Sequence, residues 1–115
     1  METDISDVIG PLIKRRIFAT KEQAVRELMR DYILRQITAR RRELGRFERK
    51  YGMSFDQFSE YLHARSRLLE TGRLSPEQRQ KLGQSVMQEE DDWLDWKVAK
   101  EMLESLLGLS NEVHG

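Results

Sequence analysis

Thr20-Lys21-Glu22-Gln23-Ala24-Val25-Arg26-Glu27-Leu28-Met29-Arg30-Asp31-Tyr32-Ile33 reads as the capped start of an amphipathic helix. A Thr followed three residues later by Gln is a capping-box spacing. The hydroxyl can accept from the third helical amide while the Gln side chain reaches back to the cap amide. Ala24, Val25, Leu28, Met29, Tyr32 and Ile33 then fall on one helical stripe, which Ile37 extends. The periodicity can run on through Leu44, Phe47 and Tyr51, where Gly52 suits a helix stop.

The same device recurs at Ser54-Phe55-Asp56-Gln57 and Ser75-Pro76-Glu77-Gln78. Pro76 takes the first helical position, where its missing N–H costs nothing. Each such cap is worth roughly 1 kcal/mol. A further helix is expected over about Phe55 to Glu70, burying some combination of Phe55, Phe58, Tyr61, Leu62, Leu68 and Leu69, and ending at Gly72. A short helix is expected from Pro76 to about Leu82. Gly83 to Gln88 is ambiguous and can be extended. A last helix would open on Glu89-Glu90-Asp91-Asp92, where the helix dipole favours acids. It would carry Trp93, Trp96, Ala99, Met102, Leu103, Leu106 and Leu107, and Gly108 would cap it. The tail after Ser110 is expected to fray.

Upstream, Val8, Ile9, Leu12 and Ile13 form a short apolar stripe within a first helix expected over about Ser6 to Arg16. Gly10-Pro11 leaves a kink, or a start at Pro11, open. The expected fold is therefore all-α: a short helix, a long amphipathic helix and two to three more. Seven Gly and two Pro in 115 residues agree with long helices rather than a turn-rich β fold. No repeat or linker divides residues 1–115. A single helical domain is expected, with residues 6–51 as a dimerising helix pair and 54–109 as a partner-binding region.

The chain has no cysteine, which excludes disulfides, thiol chemistry and Cys-type zinc sites. Together with the acidic Met1-Glu2-Thr3-Asp4 start and the lack of a long apolar run, this reads as a cytoplasmic protein without a membrane span. The formal net charge is zero but unevenly placed. Residues 1–50 hold 13 Lys/Arg and 8 Asp/Glu, a net of +5, whereas residues 51–115 hold 7 and 12, a net of −5. The halves can attract each other, or each can face a partner of opposite charge.

Little here suits an enzyme. The histidines are His63 and His114, and no metal-protease motif, phosphate-binding glycine loop or Ser/His/Asp set occurs. No catalytic residue, cofactor, metal site or small-molecule substrate is expected. Glu89, Glu90, Asp91, Asp92 and Asp95 lack the ligand order and glycine of a calcium loop, so they read as a solvated helix start. Arg40-Arg41-Arg42, Arg46, Arg49 and Lys50 form a dense basic segment. Of these, Arg42, Arg46, Arg49 and Lys50 can share a helix face and meet phosphates by charge alone, or pair with Glu43, Glu48 and the acidic half. Trp93 and Trp96 project near one face, as core or as anchors for a partner.

Residues 7–37 resemble the two helices of ribbon-helix-helix proteins, many of them antitoxins of toxin–antitoxin pairs. Ile17-Phe18 matches the family's aromatic turn and Thr20 its polar cap. Ala24-Val25-Arg26-Glu27-Leu28-Met29-Arg30-Asp31-Tyr32 matches the helix pattern. Arg16 replaces a common glycine, and Glu22-Gln23 a usual Ser-Glu. The DNA-reading strand is almost missing, because only Met1 to Ile5 precedes the helix and two of those residues are carboxylates.

The resemblance therefore implies ribbon-helix-helix-like N-terminal helices without a full ribbon. It also implies a tendency to dimerise, and because Val25, Leu28, Met29, Tyr32 and Ile33 present more apolar surface than the short Val8–Ile13 segment can cover, a homodimer through them is expected. DNA reading is only weakly implied; phosphate contacts would fall to Thr20 and Lys21, with Arg42, Arg46, Arg49 and Lys50 as the basic face. The favoured functional expectation is an antitoxin-like protein whose acidic region covers a protein partner, a toxin. That region would use Glu89, Glu90, Asp91, Asp92, Trp93 and Trp96. The alternatives are a helical DNA-binding regulator using the Arg-rich helix, or a helical scaffold.

Overall fold

The computed structural model describes residues 10–11 and 19–114, with side chains to residue 112. Of the expected first helix only Gly10 and Pro11 fall within this range, and both are helical. The rest of that helix, the Ile17-Phe18 turn and the ribbon remnant lie outside the described residues. Three long α-helices follow: α1, Lys21–Tyr51; α2, Phe55–Thr71; and α3, Pro76–His114. There is no strand among the described residues, and the fold is all-α.

All three expected caps form. Ser54 Oγ accepts from the Gln57 amide at 3.2 Å, and Gln57 Oε1 accepts from the Ser54 amide at 3.0 Å. Ser75 and Gln78 repeat this pairing at 3.2 and 3.0 Å. The first box is offset by one residue. Thr20 Oγ1 accepts from the Gln23 amide at 3.0 Å, but Gln23 Oε1 reaches the Ala19 amide at 3.1 Å instead of that of Thr20.

Gly52 closes α1 with φ +63°, a conformation costly for other residues, and its amide donates to the Glu48 carbonyl at 2.7 Å. Gly72 closes α2 differently. It is extended, and a Cβ there would overlap the Leu68 carbonyl oxygen and stand 2.7 Å from Leu68 Cδ1. Arg79 completes this end by donating to the carbonyls of Leu69 and Gly72, orphan acceptors at a helix C-terminus.

The expected break between Leu82 and Glu89 does not exist, nor does a stop at Gly108: α3 is one helix of 39 residues. A helical glycine costs about 1 kcal/mol relative to Ala. That is less than the roughly 1.5–3 kcal/mol from burying Val86, three residues on. Glu89-Glu90-Asp91-Asp92 therefore lies in a helix interior, where no N-terminal dipole acts on it.

The chain divides into two compact units: residues 1–38 with 105–115, and residues 39–104. The division falls within α1 and α3. In the first unit Ala24, Ile33 and Ile37 are buried, with Leu106 half-buried. The second unit is a three-helix arrangement around Trp96, which is 1% exposed, and Phe58. Phe47 and Phe58 stack on Trp96 with centroids 5.5 Å away, and Phe55 meets it edge-on at 5.6 Å. Tyr51 packs on Phe58 at 4.2 Å. Clusters of this kind add directional ring contacts to plain area burial. No helix among the described residues is long and apolar enough to cross a membrane.

Candidate functional sites: two apolar grooves and an arginine stripe

Trp96 and Trp93 part company in the second unit. Trp96 is core, so it cannot serve as a surface anchor as the sequence suggested. A side chain already enclosed by Phe47, Phe55 and Phe58 has no face left for a partner. Trp93 is half-buried. Its indole Nε1 donates to Ser59 Oγ at 2.8 Å, and its ring stacks on Phe55 at 5.8 Å. Lys97 Nζ stands 5.3 Å from the Trp93 centroid, within cation–π range.

Beside Trp93, α2 and α3 enclose a groove of about 400 Å³ lined by Ser59, Leu62, His63, Ser66, Glu90, Trp93 and Leu94. The α2 residues recur at i, i+3, i+4 and i+7, and those of α3 at i, i+3 and i+4, so each helix contributes one continuous face. An apolar floor with a few polar groups at its edge suits a side chain or helix of a protein partner. The histidine and serines were not expected to take part. Their spacing was legible, but nothing local says that such a face borders a groove.

The four consecutive acids are dispersed around α3. Glu89 is buried, and its Oε1 accepts from Arg65 Nε at 2.9 Å with Nη2 at 2.8 Å, while Oε2 is buried with no hydrogen-bond partner among the described residues. Asp92 accepts from Lys50 Nζ at 2.6 Å and from the Tyr51 hydroxyl. Burial alone would raise the Asp92 carboxyl, but the hydrogen bonds from Lys50 and Tyr51 outweigh it and hold the group below the usual carboxylate range. Burial, then the bond to Asp92, pushes the Tyr51 phenol well above its ordinary value.

Glu89 and Asp92 are thus committed to contacts inside the unit, and this corrects the expectation that they face a partner. Glu90 and Asp91 are exposed. Among the described residues, no three His, Asp or Glu side chains stand close enough to hold a metal ion.

In the first unit, Val25, Leu28, Met29, Tyr32 and Ile33 line a groove of about 350 Å³ together with Leu106 and Leu109 from α3. Tyr32 is 62% exposed, Met29 and Leu28 are also exposed, Val25 is half-buried, and Ile33 is buried within its own chain. Every expected dimerisation residue is therefore on one surface, with Ile33 as its floor. Leu106 and Leu109 were not foreseen, because they belong to the far end of the sequence.

Of the residues considered for phosphate contacts, Thr20 is spent on its cap, Lys21 is exposed and Lys50 is bound to Asp92. Arg42, Arg46 and Arg49 are exposed at i, i+4 and i+7, and none forms an ion pair among the described residues. Arg40 differs, pairing with Glu43 at 3.0 Å. Comparison with family models, with curated proteins and with solved structures finds no match to this chain.

Proposed function

We propose that this chain is a non-enzymatic helical interaction protein that holds a protein partner in the α2–α3 groove and pairs with a second copy through its α1 groove. The groove beside Trp93 carries the reading. It is apolar at the floor, with an aromatic face and the exposed Glu90 at its lip, in the half of the chain with net charge −5. Acids steer a basic partner, while an aromatic ring in a desolvated slot holds it. Trp93, Glu90 and Asp91 remain the contact residues of this proposal.

The antitoxin-like reading takes the partner to be a toxin. Co-expression with the product of an adjacent reading frame tests it. A complex is expected to co-purify, and Trp93→Ala or Ser66→Arg should abolish it without loss of helix content. Failure of the unaltered chain to form any complex sinks the toxin reading. For the α1 groove, an exposed apolar patch of this size on a helix pair is best covered by a symmetric copy. Replacing Leu28 and Tyr32 with Asp should then lower the mass measured by sedimentation.

The arginine stripe favours a second reading, as a DNA-binding regulator. Three guanidinium groups without an ion pair among the described residues, along one helix face, can track a phosphate backbone. Anisotropy titrations of duplex DNA against salt test it. Changing Arg42, Arg46 and Arg49 together to Ala should reduce the salt slope by about three if each meets a phosphate.

A further inference from the structure

The helix α3 is apolar on two opposite sides. One side buries Val86, Trp96 and Ala99 in the second unit. The other exposes Met87 at 68%, Leu94 at 52% and Val98 at 52%. The exposed three are spaced by seven and four residues, a coiled-coil seam in which Asp91 takes the one polar position.

We infer that a second copy of this chain covers this seam, with the two α3 helices antiparallel. The flanking charges supply the argument. Glu90 and Lys97 lie seven residues apart on the same flank, the one facing the α2–α3 groove: Glu90 lines that groove, and Lys97 is held over the Trp93 ring. In an antiparallel pair, Val98 of one copy packs on Met87 of the other, and Leu94 packs beside Asp91. Glu90 then stands opposite Lys97 of the second copy, and the two-fold axis repeats that pair. On the other flank, Asp95 meets Gln88, with no like charges opposed.

A parallel pair is disfavoured by the same residues. It would set Glu90 against Asp95 of the second copy twice, a repulsion that the antiparallel register avoids. The seam from residue 87 to 98 is about 16 Å long. That is short for a standard interface of about 800 Å² per partner. The pairing is therefore weak, and is expected to be populated at roughly 100 µM chain.

The chain has no cysteine, so introduced thiols report cleanly. In the full chain, M87C/V98C and E90C/K97C should oxidise to covalent dimers, whereas M87C alone should stay monomeric on a denaturing gel. Within one helix these pairs stand about 16 and 10 Å apart, too far for an internal disulfide. E90K added to M87C/V98C should cut the dimer yield at least several-fold, and E90K with K97E should restore it. Helix content by circular dichroism confirms that each variant folds. Equal cross-linking of M87C alone, or no dimer from either double variant in folded protein, overturns the inference. Residues Met87, Val98 and Lys97 line neither the α2–α3 groove nor the α1 groove, so V98D should remove the α3 pairing and spare both partner binding and the α1 pairing, keeping the proposals separable.

Discussion

The indole of Trp93 donates to Ser59 Oγ at 2.8 Å, bridging α3 to α2, while Trp96, three residues on, is sealed among aromatic rings. The two tryptophans should therefore behave differently under the same substitution. Trp96→Ala is expected to cost about 3–5 kcal/mol, the usual range for a large buried ring. Trp93→Phe leaves a smaller aromatic ring at a half-buried position and removes the bond to Ser59, worth about 1 kcal/mol, so a cost well below that of Trp96→Ala is expected. Urea titrations measure both. Acrylamide should quench the Trp93 emission remaining in Trp96→Phe more strongly than the Trp96 emission remaining in Trp93→Phe.

The Lys50–Asp92–Tyr51 group sets a two-sided pH dependence. Asp92 has a lowered folded value, so its contribution is present above the ordinary carboxylate value of about 4 and is lost as pH falls through the folded one. Tyr51 has a raised folded value, so its contribution is present below the ordinary phenol value of about 10 and is lost as pH rises beyond it. Asp92→Asn should flatten the acid limb of the stability profile. Tyr51→Phe should flatten the alkaline limb. Denaturant titrations across both limits read the slopes.

Glu89→Ala should destabilise the fold by about 1–3 kcal/mol, because it leaves the half-buried guanidinium of Arg65 without its acceptor. Glu89→Gln retains an acceptor and loses the charge, so a smaller cost is expected. Equal stability of Glu89→Ala and the unaltered chain would show that Arg65 finds an equivalent acceptor in water.

Gly52→Ala should destabilise by about 1 kcal/mol, since φ +63° is strained for any residue with a Cβ. Thermal unfolding of the two forms under identical conditions checks this.

Local chemistry was the legible part of this fold. The boxes at Thr20, Ser54 and Ser75 and the stop at Gly52 depend on residues within four positions of one another, and each marks a helix end. What depended on distant residues was not legible. A single stripe of apolar positions could not tell that Trp96 faces the core and Trp93 a groove, because α3 is apolar on opposite sides. Nor could it show that Leu106 and Leu109 join Val25 and Tyr32 on one surface. Glu89 to Asp92 read as a helix start because the four acids are adjacent in sequence. Their real partners, Arg65, Lys50 and Tyr51, lie 24 to 42 residues away.

Gly83 interrupts nothing, yet a Cβ there would meet no atom within 4 Å, so space does not demand a glycine. The helix at that point is imposed by tertiary burial against the local preference of its own residues. Cut out as a peptide, the segment should be mostly coil. In the intact chain its amides should exchange with solvent faster than those around Trp96, since breathing at Gly83 exposes little apolar surface. An alanine there would slow that exchange, and α3 would then owe less of its continuity to the unit packed around it.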